Sequence, residues 1–225
     1  MRIGFAKKMI KDLPIILDGK PVEKITAFLF PKGSHENPKV LLDNAAKSFL
    51  GSYVLGMGFT FDDTNPEATT LAEMQQLIAE NPKNQERIFP YIGGSEVNSS
   101  PTHAHHRYVI NFGEMSEEEA REYPDLMAIV EEKVKPERLK NNREIYRRNW
   151  WQYGEKRVEL RKAIESCDRV LVIARTSTIF AFTFLPAGYI YSENLIIFSF
   201  PQPEYALSIL HSRLHEVWVR FFHLP

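Results

Sequence analysis

Residues 169–200 read RVLVIARTSTIFAFTFLPAGYIYSENLIIFSF, and this stretch decides the fold class. Its apolar runs are short and rich in β-branched and aromatic residues, so it divides into four strands: RVLVIAR, AFTFLP, GYIYS and NLIIFSF. Immediately upstream the pattern is helical. Ser116 with Glu119 has capping-box spacing and opens a helix that runs to about Val134, ahead of Pro136. Two more helical stretches cover residues 137–149 and 154–166. Downstream, Pro203–Arg220 reads as one closing helix with Tyr205, Ile209 and Trp218 among its apolar positions.

Farther toward the start, RIFPYIGG and HRYVINFG read as strands, and Tyr108, Ile110 and Phe112 share one side of the second. Glu67–Glu80 reads as a helix capped by Thr69 or Thr70 and ended at Asn81-Pro82. SFLGSYVLGMGFTF reads as strand and turn. Residues 1–46 form an approach segment, with a small hairpin around Asp18-Gly19-Lys20-Pro21 and a loop at PKGSHENPK; the compact domain is expected over 47–225. Strands, then helices, then strands predict an α+β fold: a mixed β-sheet core with a central helical, basic segment.

Bulk properties narrow the class. With 44% hydrophobic and 25% charged residues the chain is an ordinary globular one. Cys167 is the only cysteine, so no internal disulfide forms, which fits a reducing cytosol. The opening MRIGFAKKMI lacks signal-peptide character, and the longest apolar run is too short for a membrane span. A cytoplasmic protein with no membrane partner is expected.

The net charge of −1 hides an asymmetry. Residues 133–162 hold eleven Lys or Arg against four Glu, a local +7, which leaves −8 on the rest. Trp150, Trp151 and Tyr153 interrupt the run. Concentrated cations neutralise phosphates and release counterions, the footprint of a nucleic-acid binder. Charge runs are common on helices, so on composition alone a solvated helix face with both tryptophans in a core stands slightly ahead.

Several motifs imitate catalytic ones. Gly51, Gly56 and Gly58 lack the Lys-Ser/Thr of a phosphate loop and the dinucleotide spacing, and read as tight packing. His103, His105 and His106 follow a Ser-Ser-Pro loop without partners at metal-ligand spacing. Asp125, Glu131 and Lys133 imitate a nuclease triad, but on a helical pattern that points the carboxylates apart. His211 and His215 are at chelating spacing on a helix that packing explains more simply. The Asn/Asp-Pro-Pro-aromatic motif that holds a flipped base for amino-methylation is absent. No catalytic residue and no metal ligand is assigned.

Six blocks in order, SFLGSYVLGMGF, NPKNQERIFPYIGGSEVN, RYVINFGEMSEEEAREYPDL, VKPERLKNNREIYRRNWWQYGEKR, RVLVIARTS and SILHSRLHEVW, are spread over about three quarters of the chain. Together they resemble the region that follows the methyltransferase domain in MmeI-like restriction-modification methylases, a target recognition domain. The resemblance implies double-stranded DNA and the parent's methyltransferase domain as partners. It implies no cofactor in this chain, with S-adenosylmethionine expected in the parent's catalytic domain. Relatives continue past HSRLHEVW into a basic tail, so a truncated end is expected here.

On that reading Lys135, Arg138, Arg143, Arg147, Arg148, Lys156 and Arg157 are expected to hold DNA phosphates, fixing register without reading sequence. Arg175, Thr176, Ser177 and Thr178, after the strand RVLVIA, are expected to read bases, with Arg175 bridging the two acceptors of guanine. Glu96 and Asn98, after PYIGG, join them as readers of cytosine or adenine. Two alternatives stand beside this: a small metal-dependent nuclease built on Asp125, Glu131 and Lys133, and a protein-interaction module with a basic face.

Overall fold

The computed structural model describes residues 14–26, 30–31 and 42–222. The loop expected at PKGSHENPK lies almost wholly outside them, as do the first residues and the last three. Two compact units separate by contact: residues 43–212 form one, and the chain before Asp43 together with the chain from Arg213 onward forms the other.

The smaller unit contains β1 (Ile15–Leu17) and β2 (Lys20–Val22), the expected hairpin. Asp18 and Gly19 both take positive φ, 49° and 77°, which two-residue turns of this twist require.

The larger unit begins with β3 (Ser48–Leu50) and β4 (Thr60–Phe61), joined through a 3-10 turn at Met57–Phe59. Helix α1 (Leu71–Glu80) starts where its capping box dictates. Thr70 Oγ1 accepts the Glu73 N–H at 3.2 Å, and the Glu73 carboxylate accepts the Thr70 N–H at 2.9 Å. Strand β5 (Ile88–Ile92) leads through Gly93 into a short helix, α2 (Gly94–Ser99), which the sequence pattern does not announce. Strand β6 (Arg107–Ile110) follows.

The helical middle is more broken than its periodicity predicts. The single helix expected from Ser116 to Val134 is two, α3 (Glu117–Ala120) and α4 (Pro124–Lys133). Pro124 lacks an N–H and pushes Tyr123 out of helical geometry, to φ −114°, ψ 67°. The stretch 137–149 is also two helices, α5 (Lys135–Leu139) and α6 (Glu144–Arg148), parted where Asn141 Oδ1 accepts the Arg143 N–H instead of leaving it to a helix. Helix α7 (Val158–Ile164) completes the layer. The four late strands form as expected: β7 (Arg169–Ala174), β8 (Thr183–Pro186), β9 (Ile190–Tyr191) and β10 (Leu195–Phe198). The closing helix divides at His211-Ser212 into α8 (Pro203–Leu210) and α9 (Arg213–Phe222), and α9 falls in the smaller unit.

Two sheets organise the larger unit. One is antiparallel, in the order β3-β10-β7-β8; the other runs β4-β6-β5-β9, with only β5 and β9 parallel. Each has its own core. Phe59, Phe61, Ile110, Leu126, Met127 and Val130 pack with Trp150, Trp151 and Tyr153 beside the second sheet. Leu160, Ile164, Val170, Val172, Leu195 and Ile197 pack beside the first. The aromatics that interrupt the basic run are therefore structural. Trp151 Nε1 donates to Met115 O at 3.0 Å and the Tyr153 hydroxyl donates to Ile110 O at 2.7 Å, so each buried polar tip has an acceptor.

The sheets meet at one seam. Ser192 pairs with Ser52, and its N–H donates to Ile92 O at 2.9 Å; Ser52 N–H donates to Tyr191 O at 2.7 Å and Gly51 N–H to Leu195 O at 3.1 Å. Gly51 has no room for a side chain there, because a Cβ would lie 2.0 Å from Ser192 O.

Candidate functional site

A polar cleft of about 360 Å³ opens at this seam, lined by Tyr91, Gly93, Gly94, Ser95, Asn98, Arg107, Thr176, Ser192 and Asn194. Three groups of residues, drawn from four stretches of chain, build it. The first is the end of β5 with α2. The second is the start of β6. The third comprises the turn after β7 together with the β9–β10 turn, where Arg175 N–H donates to Asn194 O at 2.8 Å. Asn98 Nδ2 donates to Thr176 O at 3.1 Å, so two base-reading loops proposed from residues 78 positions apart are physically tied. Arg175, Thr176, Ser177 and Thr178 are all exposed, at the end of a strand whose interior is buried.

Glu96 is placed differently from expectation. Its side chain is only 3% exposed, and both oxygens are occupied. Oε2 accepts the Gly93 N–H at 3.0 Å and the Ser95 hydroxyl at 2.9 Å; Oε1 accepts Arg107 Nε at 2.9 Å. His106 Nδ1 lies 3.5 Å away. Burial alone would raise the Glu96 pKa, but the helix-start N–H groups, Arg107 and Ser95 outweigh it, and the carboxyl is held below its ordinary value. A carboxylate so saturated cannot accept from a base edge, which corrects its assignment as a reader. Arg107, which no local signal marks, takes the position at the cleft. Its guanidinium lies 4.9 Å from the centre of the Tyr91 ring. Burial, first, and Glu193 push the Tyr91 hydroxyl up to about 12, so it faces the cleft neutral.

The basic segment is partly surface and partly scaffold. Arg138 is 2% exposed and donates to the carbonyls of Leu55, Val54 and Gln152, clamping the glycine-rich turn against the helical layer. Desolvation lowers its pKa. Such a buried guanidinium cannot reach a phosphate, which corrects its assignment as a DNA contact. Lys135 pairs with Glu131 and lies over the Trp150 ring. Arg143 donates to the Tyr146 hydroxyl and Arg147 to Asn141 O, and both keep solvent-facing edges. Arg148 is exposed and has no partner among the described residues. Lys156 donates to Gln152 Oε1, and Arg157 donates to Gly51 O, beside the Ser52–Ser192 seam. The segment's cations therefore do not form one continuous face, but Arg157 is anchored beside the cleft's own junction.

The catalytic look-alikes disperse. Asp125 Oδ2 accepts from Asn81 and Asn84, Glu131 pairs with Arg121 and Lys135, and Lys133 donates to Ala68 O and Thr69 Oγ1. These partners hold the helices in place and point the groups apart, so the nuclease reading is not favoured. His105 Nδ1 is 3.1 Å from the Tyr189 hydroxyl, and burial followed by the neighbouring His106 lowers its pKa. Among the described residues no group of three His, Cys, Asp or Glu side chains is placed to hold a metal. Nor is any described helix long and apolar enough to cross a membrane.

The family described as "MmeI, target recognition domain" matches residues 36–222. Among solved structures, the type IIL restriction-modification enzyme MmeI in complex with DNA is similar, with a TM-score of 0.62 and 18% identity. The match covers 90% of this chain and 26% of that one, so the chain spans about a quarter of that enzyme's length. No curated protein matches the chain significantly.

Proposed function

The chain belongs to the family of MmeI target recognition domains, and from that premise we propose that it reads the sequence of double-stranded DNA through the seam cleft and the loop after β7. The observation that carries this reading is the Asn98–Thr176 bond, which brings two reading loops onto one cleft beside the exposed Arg175–Thr178 edge. In this reading Arg143, Arg147, Arg148, Lys156 and Arg157 hold phosphates, and Lys135 adds to their field. Arg175, Thr176, Ser177, Thr178 and Asn98 face the bases. The DNA-bound state of the similar enzyme supports the choice of ligand. Bond-making belongs to another part of the parent polypeptide, a methyltransferase domain using S-adenosylmethionine, and the working compartment is the cytoplasm, where the DNA substrate is.

Selection of bound duplexes from a random-sequence pool, followed by titration at several salt concentrations, tests the reading. A preferred sequence is expected. Replacing Arg148 by alanine should weaken binding to every duplex alike and lower the salt slope by about one. Replacing Arg175 by alanine should cost about 1–3 kcal/mol at one base pair of the preferred site and leave the salt slope nearly unchanged. A pool that returns no preferred sequence, or an Arg148 change that acts at one base pair only, would refute these assignments.

A further inference from the structure

Arg107 is held on three sides and free on the fourth. Its Nε and one terminal nitrogen donate to Glu96 Oε1, at 2.9 and 2.5 Å. Its plane lies over the Tyr91 ring. The bare backbone of Gly93 lets it close in, since a Cβ there would come 3.2 Å from the same terminal nitrogen. The remaining edge, the other terminal nitrogen and the outward N–H of the first, has no partner among the described residues and belongs to a side chain 20% exposed in the cleft.

Resting on the reading of the chain as a DNA-reading domain, the geometry points to Arg107 as a reader of guanine, with Glu96 as its positioning residue. A guanidinium offers two parallel N–H groups at the spacing of guanine O6 and N7. Held in place beforehand, it loses little rotamer freedom on binding. Phosphate is the weaker match. Glu96 offsets most of the charge that would attract a phosphate, while the directional fork remains. Arg107 is also the one charged side chain lining the cleft, among hydroxyls and amides suited to base edges. Glu96, chosen from the sequence as a reader, acts instead through its neighbour.

The test uses the full chain and its selected duplex, with each guanine replaced in turn by 7-deazaguanine, which lacks the N7 acceptor. One guanine is expected to show a loss of about 5- to 100-fold with the wild-type chain. The Arg107→Lys variant keeps the charge beside Glu96 but loses the fork, so the penalty at that guanine should vanish while other guanines respond as before. The wild-type chain should also crosslink to 6-thioguanine at that position through residues 91–107, a readout that stands whether or not the variant folds. Equal weakening of all duplexes by Arg107→Lys, an unchanged 7-deazaguanine penalty, or a crosslink elsewhere in the chain would overturn the inference while leaving the domain a DNA reader. A chain without any sequence preference would overturn both.

Discussion

Replacing Arg107 by alanine is expected to destabilise the larger unit by about 3 kcal/mol, because it strands the nearly solvent-free Glu96 carboxylate. The loss is larger than that of a surface pair because the Glu96 side chain is only 3% exposed. The pH dependence separates this cause from simple loss of packing. In the wild-type chain the Glu96 pKa is lowered from 4.5, so its stabilising contribution is complete above that value and is lost as pH falls through the lowered folded pKa. In the variant the contributions of Arg107 are lost while the backbone and Ser95 hydrogen bonds remain, so the folded pKa lies higher than in the wild-type chain. Above the ordinary value the variant therefore lacks the part of the stabilisation that Arg107 supplies, and the gap between the two proteins narrows as pH falls and Glu96 takes up a proton. Urea midpoints measured from pH 3 to pH 8 should therefore converge between the two proteins on the acid side. A constant gap across that range would show that the carboxylate is not the cause.

The second large effect is expected at Gly51. Changing it to alanine places a Cβ 2.0 Å from Ser192 O and 2.6 Å from Tyr191 O, both backbone atoms that no rotamer change can move. The strands must part, and with them go the Ser52–Tyr191 and Gly51–Leu195 hydrogen bonds and the Arg157 contact to Gly51 O. A loss of about 3–5 kcal/mol is expected, above the usual range for overpacking because backbone rather than side chain is displaced. Gly188→Ala is the matched control, since nothing lies within 4 Å of a Cβ there. Chemical unfolding of both variants checks the prediction; similar midpoints would refute the account of the seam. Because the seam also carries Ser192, DNA preference should be lost along with stability in Gly51→Ala.

Much of this architecture is written locally. The hairpin at Asp18-Gly19 and the Ser116–Glu119 cap depend on neighbours within a few residues and formed where the sequence places them. Thr70, one of the two caps the sequence offers, starts its helix at Leu71 rather than Glu67. The four late strands fall within the stretches read as strands, although β9 pairs with the distant β5 and β10 with the distant β3. The family was legible too, because six ordered blocks carry it, and so was the loop after β7 as an exposed edge. Helix lengths were legible only in part. Periodicity runs straight through Pro124 and Asn141, whereas backbone geometry does not.

What tertiary structure alone decided is which charges are available. In sequence, Arg138 and Arg148 are equivalent cations of one basic run. In the fold one is sealed over three carbonyls and the other faces solvent. Glu96 and Arg107 exchange their expected importance for the same reason. A residue's type states what bonds it can make, but burial and the partners brought from distant strands determine which of those bonds are already made. The cleft exists because residues near 51, 92 and 192 share backbone hydrogen bonds, and pairing between segments so far apart leaves no trace in any local window of the chain.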